Sequence, residues 1–187
     1  MNKPAQQKPL QTLVTCGLLI ALEVILGRWF AIRTPMVNLS FAFVPLALSG
    51  MLYGPIYGFA CGGIADFIGA MLFPQGAFFP GFTLTNALCG MTHGFFLHQK
   101  SGMEQNRKSF LLRAILSVLI VNFGFQMCLN TFWLIVIGVT NKGYLALLST
   151  RFVKYLIMAP IQIFVIAVIR DALAKPLMKL QAKRVSA

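Results

Sequence analysis

Acidic side chains are scarce in this chain: four Asp and Glu among 187 residues, against sixteen Lys and Arg, for a formal net charge of +12. Paired carboxylates at catalytic spacing are absent, which removes the usual general acid/base arrangement. The two histidines, His93 and His98, lie five apart, a poor separation for two metal ligands on one helix. The four cysteines, Cys16, Cys61, Cys89 and Cys128, fall in four separate apolar segments without C-x-x-C spacing, so reduced, packed thiols are expected and no metal site. The chain has no G-x-x-x-x-G-K-[ST] loop, no G-x-S-x-G elbow and no H-E-x-x-H pair, so it lacks the P-loop device for ATP and the common hydrolase motifs. It also lacks internal repeats, low-complexity segments and any linker that would divide it. An autonomous active transporter ordinarily has more spans and inverted repeats.

What remains is apolar. Hydrophobic residues make up 58% of the chain and charged ones 11%, with a mean hydropathy of +0.77, the composition of an integral membrane protein. Apolar runs between Gly and Pro punctuation place spans near 10–30, 40–53, 56–73, 81–98, 110–138 and 146–171. The expected fold is an all-α integral membrane protein, a compact bundle of six transmembrane helices in one domain over 1–187. Residues 1–9 form an N-terminal arm and 172–187 a basic tail. The second span, about fourteen residues, reaches only about 21 Å. Gly54-Pro55 joins it tightly to the third, and such short spans often border a binding cavity. Glu23 and Arg28 stand where a signal peptide would need small residues for cleavage, so the first helix is expected to be retained.

An even number of spans puts both termini on one side, and eleven of the sixteen basic residues lie at the termini or beside the loop after the fourth span. That side is expected to be cytoplasmic, and the basic tail is an orientation signal that needs no nucleic acid. The other five cations, Arg28, Arg33, Lys142, Arg151 and Lys154, are brought by three segments to the face that should be poor in positive charge. Lys142 can reach lipid headgroups by snorkelling. Arg28 and Arg151 lie deeper, where an unpartnered charge is costly, and a carboxylate ligand would supply the partner.

Polar residues at helical spacing extend this cluster. Asn122, Gln126, Asn130 and Trp133 share a face of span five; Arg151, Lys154, Tyr155, Met158 and Gln162 share one of span six; Thr83, Asn86, Gly90 and His93 share one of span four. Interhelical hydrogen bonding accounts for Asn122, Gln162 and His93, whereas Gln126, Asn130 and Asn86 suit a pocket as well as packing. Asp66, the acid of span three, can accept two N–H bonds from an aminopyrimidinone edge or pair internally with Arg28 or Arg151. Glu23 is expected to pair internally or to face a partner. Phe73, Phe78, Phe79 and Phe82 surround a Gly/Pro-rich loop and serve either as an interfacial belt or as a lid that stacks on an aromatic ligand.

The stretch from Ala21 to Leu48, ALEVILGRWFAIRTPMVNLSFAFVPLAL, with GMLYGP at 50–55, resembles the substrate-binding S components of energy-coupling factor (ECF) vitamin transporters. The run from Ala65 to Leu84, ADFIGAMLFPQGAFFPGFTL, resembles their folate-specific branch. The resemblance implies a non-enzymatic subunit of the bacterial plasma membrane, without cofactor, that captures folate outside. It implies a membrane coupling subunit and two cytoplasmic ATPase subunits as partners, which hydrolyse ATP, and a rocking of the bound subunit that brings its pocket to the cytoplasm. In that family a small-xxx-small motif on the first helix faces the coupling subunit. The matching positions here are Gly17 and Ala21, with glycine in place of the first alanine; such a pair also suits a homodimer contact.

Within that reading, Asp66 or an amide of Asn86, Gln126 or Asn130 reads the pterin. Phe78, Phe79 and Trp133 stack on it, Arg28, Arg33, Arg151 or Lys154 neutralises the carboxylates, and Tyr155 belongs to the same wall. Another vitamin or its precursor as ligand, a small channel, and a lipid-acting enzyme are the alternatives. The clustered cations disfavour a cationic ligand, a channel should pass ions without partners, and a lipid enzyme needs a nucleophile or metal constellation not found here. Arg151→Ala is expected to weaken folate binding strongly in a protein that still folds, as read by equilibrium titration.

Overall fold

The computed structural model describes residues 9–33, 38–74, 78–98, 106–138 and 144–174. Among the described residues six helices follow in order. They are α1 (Pro9–Arg28), α2 (Phe43–Tyr53), α3 (Pro55–Leu72), α4 (Pro80–Leu97), α5 (Arg107–Val136) and α6 (Tyr144–Ile169), the last extended by a π-helical turn at Arg170–Ala174. One addition to the all-helical expectation lies between α1 and α2. There Ile32–Arg33 (β1) and Asn38–Leu39 (β2) form an antiparallel ladder, pairing Ile32 with Leu39 and Arg33 with Asn38.

Local chemistry accounts for the boundaries. Proline opens α3 and α4 in their first turns, where its missing N–H leaves no helical bond unmade. Gly54 alone separates α2 from α3 at φ 94°, a left-handed value that favours glycine, and its N–H bonds the Gly50 carbonyl at 2.9 Å. The His98 ring covers this corner, with Nδ1 3.1 Å from the Met51 carbonyl. Asn106 caps α5, accepting from the Lys108 N–H at 3.4 Å. The middle of α5, Ile120–Leu129, is wound as a π-helix, a form concentrated at functional sites.

Among the described residues four helical segments are long and apolar enough to cross a membrane: Leu10–Arg28, Pro55–Leu72, Arg107–Val136 and Arg151–Ala172. Helix α2 is apolar but has only 11 residues, and α4, with 18, is the more polar interior helix, packed on α2, α3 and α5. The outward surfaces of α1, α3, α5 and α6 carry exposed Leu13, Leu18, Ile56, Leu112, Leu156 and Phe164 among many others. That quantity of unpartnered apolar surface suits contact with lipid chains.

Close packing of α2, α3 and α4 depends on glycine. A Cβ at Gly58 would lie 2.3 Å from the Gly90 carbonyl oxygen, and one at Gly90 would lie 2.1 Å from that of Gly58. These obstacles are backbone atoms, so no rotamer change relieves them. Beside this seam, Leu48, Met51, Leu97, Phe110, Val118 and Ile166 form the buried core that joins α2, α4, α5 and α6. Gly17 of α1 has nothing within 4 Å of its Cβ position. Gly90→Ala is therefore expected to destabilise the detergent-purified protein by about 1–3 kcal/mol, the usual range for overpacking. Gly17→Ala should bring no loss, and thermal unfolding of the two variants side by side provides the check.

Candidate ligand-binding chamber

Helices α1, α3, α4 and α5 enclose a cavity of about 570 Å³, within the range of small-molecule sites. Its floor and walls are built in two tiers, and α1, α3 and α4 each contribute one group to each. In the tier nearer Phe78 and Phe79, Arg28 Nη2 lies 3.7 Å from Asp66 Oδ1, and Thr83 Oγ1 donates to Asp66 Oδ2 at 2.8 Å. Arg28 also reaches the Phe73 carbonyl, with Nη1 at 3.4 Å. Both oxygens of Asp66 are thus engaged by protein.

About one helical turn further in, Asn86 Nδ2 donates to Glu23 Oε1 at 2.7 Å and to the Gly62 carbonyl at 2.9 Å. The register explains the pairing of tiers on α3 and α4, where 62 and 66, and 83 and 86, lie about one turn apart and point the same way; Arg28, five residues beyond Glu23 on α1, reaches Asp66 through its long side chain. Glu23 is only 6% exposed, while Arg28 and Asp66 retain 16% and 23% side-chain exposure. The inner tier is the drier of the two.

The opposite wall comes from α5. Asn130 Nδ2 donates to Gln126 Oε1 at 2.8 Å, and Gln126 Nε2 lies 3.6 Å from Cys89 Sγ. Asn130 Oδ1 is buried without a hydrogen-bond partner among the described residues. Phe78, Phe79 and Phe82 bound the mouth, where Phe78 meets Phe67 edge-on at 5.8 Å and Phe79 meets Phe82 at 6.1 Å. Ser40 and Ala42 close the chamber beside α2, with the Ser40 hydroxyl donating to the Leu26 carbonyl at 3.2 Å.

A smaller cavity of about 180 Å³ shares Ser40, Ala42, Asn86 and Gln126 with the first and continues between α4, α5 and α6. Lys154, Tyr155, His93, Asn122 and Gln162 line it. Tyr155 Oη donates to the Gln126 carbonyl at 3.0 Å, and Lys154 Nζ stands 4.8 Å from the centre of the Tyr155 ring. His93 Nδ1 lies 2.9 Å from Ser117 Oγ. Asn122, 1% exposed, has no partner for Nδ2 among the described residues.

The structure thus brings Arg28, Asp66, Phe78, Phe79, Asn86, Gln126 and Asn130 to one chamber, and Lys154 and Tyr155 to its smaller neighbour. Trp133 is absent from either lining. It stands behind Phe79, with ring centroids 5.4 Å apart, and its Nε1 donates to Thr85 Oγ1 at 3.1 Å. Arg151 also lies off both linings, with Nη1 3.4 Å from Thr131 Oγ1. The side chain of Arg33, together with Lys142 and Gly76, lies outside the described residues. Sequence reasoning missed Glu23 and Ser40 as lining residues; an acid inside an apolar span was the available signal for Glu23.

A helical bundle with lipid-suited outer surfaces around a polar chamber defines a membrane protein that binds a small molecule. Comparison narrows the class. The family described as ECF transporter, substrate-specific component, matches residues 11–170, and the chain belongs to it. The chain is 35% identical over 159 residues to the folate transporter FolT of Clostridium novyi (strain NT), covering 85% of this chain and 87% of that one. It is also 35% identical over 155 residues to a FolT of Leuconostoc mesenteroides, covering 80% and 79%. A crystal structure of FolT bound with folic acid superposes with a TM-score of 0.71 at 33% identity, over 82% of this chain and 88% of that chain. The family supplies substrate binding to a transporter and is not an enzyme family.

Proposed function

We propose that this chain is the folate-binding subunit of an ECF transporter in a bacterial plasma membrane, a single domain that crosses the bilayer six times with both termini cytoplasmic. The observation that carries the reading is a chamber of about 570 Å³ with an arginine and fixed carboxylates on its wall, in a chain similar along most of its length to proteins named folate transporters. Folate joins a flat, donor-rich pterin to a benzoate and an anionic glutamate. Arg28 is the cation that lines the larger chamber, so it takes a ligand carboxylate through charge-assisted hydrogen bonds. Phe78, Phe79 and Phe82 offer ring surfaces at the mouth, and Trp133 supports Phe79 from behind. Lys154 and Arg151, on α6, add positive potential from the side of the smaller chamber.

ATP hydrolysis falls to two cytoplasmic partner subunits, and a membrane coupling subunit docks on α1. Gly17, Leu18, Ala21 and Leu22 lie on the exposed face of that helix, opposite buried Cys16, Leu19 and Glu23. Small residues there allow close backbone approach by another helix.

Titration of the purified chain with folate, with thiamine and riboflavin as controls, should give tight, selective binding without ATP; a folded sample that ignores folate would remove the assignment. In the same titration Arg28→Gln should lose roughly 10-fold or more in affinity, the magnitude of one charge-assisted hydrogen bond. Arg151→Ala, off the chamber wall, should lose less than Arg28→Gln. Gly17→Leu should leave folate affinity of the isolated chain unchanged while preventing co-purification with the coupling subunit.

A further inference from the structure

The larger chamber presents a problem of charge. Its charged lining residues are one cation, Arg28, and two acids, Asp66 and Glu23. A ligand bearing carboxylates at both tiers would meet uncompensated repulsion in a poorly hydrated site. Asp66 is held on one oxygen by Arg28 and on the other by Thr83. Glu23 has a single hydrogen-bond donor among the described residues, Asn86, and that bond uses Oε1 alone.

The hydrogen-bond direction at the inner tier is fixed by chemistry. Asn86 stands between the Glu23 carboxylate and the Gly62 carbonyl, both acceptors, so its nitrogen must face them and both amide hydrogens are spent. What Glu23 and Asn86 have left are acceptors, Oε2 and Oδ1, which have no donor among the described residues. The Ser40 hydroxyl, on the same chamber wall, has its hydrogen committed to the Leu26 carbonyl. A ligand group that settles there must bring N–H donors.

We infer that Glu23, with Asn86, is the specificity-determining pair that reads the adjacent ring N–H and exocyclic amine of an aminopyrimidinone, and that it fixes the ligand's direction in the chamber. The inference rests on the folate reading above and assigns this recognition to Glu23 instead of Asp66. Glu23 accepts both N–H groups side by side, through Oε2 and the second lone pair of Oε1, as a carboxylate accepts a guanidinium edge. The same charge repels the ligand's own carboxylates, which are left in the outer tier with Arg28. One acid therefore attracts the head and excludes the tail.

The test is a cycle between protein and ligand, read by calorimetry on the full-length purified chain. Wild type and Glu23→Gln are each titrated with folate and with 2-desamino-2-methylfolate, which lacks the exocyclic amine. Glutamine preserves shape and can still accept from Asn86. Wild type should bind folate roughly 10- to 100-fold more tightly than the desamino analogue, and Glu23→Gln should lose most of that preference because its folate affinity falls. Equal preference in the two proteins overturns the Glu23 assignment while leaving folate capture intact. Should Glu23→Gln fail to fold, Asp66→Asn is titrated in its place: a retained wild-type preference supports Glu23, and loss of that preference assigns the recognition to Asp66 and overturns the inference. Folded wild-type protein that binds neither ligand overturns the folate reading and the assignment with it.

Discussion

Two carboxylates between helices, Glu23 buried and Asp66 half-buried, set the terms for this molecule. Hydrocarbon and packed protein solvate a carboxylate poorly, so Glu23 and Asp66 each find partners on another helix. Asp66 on α3 takes Arg28 from α1 and Thr83 from α4; Glu23 on α1 takes Asn86 from α4. Each tier therefore crosses the same three helices. The network that satisfies the acids also holds the chamber wall in shape, because moving α1 away would strand both charges together. A site built this way is preorganised, and its ligand need not order the groups that bind it.

The network in turn depends on how closely α3 and α4 approach. Asn86 reaches the Gly62 carbonyl because Gly62 has no side chain in the way: a Cβ there would come within 2.6 Å of the Asn86 backbone oxygen. The seam continues through Gly58 and Gly90 toward the Gly54 corner, away from the chamber. In lipid, association of helices draws on van der Waals packing and interhelical hydrogen bonds, since apolar surface gains little by leaving one apolar medium for another. Small residues provide the first and the Asn86 amide the second at the same crossing. The glycines that resemble punctuation in sequence thus determine the separation at which the polar tiers can form.

This also explains which parts of the site were legible in the sequence. The helices could be found from apolar length, and Arg28, Asp66 and Asn86 could be singled out because a polar group in an apolar span demands a reason. The α5 stripe was only half legible. Asn122, Gln126, Asn130 and Trp133 share a face if the helix closes every four residues, but Ile120–Leu129 closes at five. A step of four residues then falls short of a full turn instead of passing it, and the stripe drifts. Asn122 enters the smaller cavity, Gln126 borders both, Asn130 borders the larger, and Trp133 passes behind Phe79. No local residue pattern announces that winding. Glu23 was visible as costly, yet its opening onto the chamber depends on Asn86 from a helix more than sixty residues away, a relation that periodicity within one helix does not contain.

Helix α1 joins the chamber to the outside of the bundle. Its buried stripe, Thr12, Cys16, Leu19 and Glu23, follows steps of four, three and four and ends at the inner tier. Gly17, Leu18, Ala21 and Leu22 occupy the opposite, exposed stripe. A ligand that engages Glu23 therefore acts on one side of a helix whose other side is a surface of small and apolar residues. A ligand that favoured one placement of α1 would thereby reach any partner that reads the outer stripe. Coupling of this kind needs no long relay of side chains. It requires only that the two faces belong to one helix and that the ligand favour one placement of it over another.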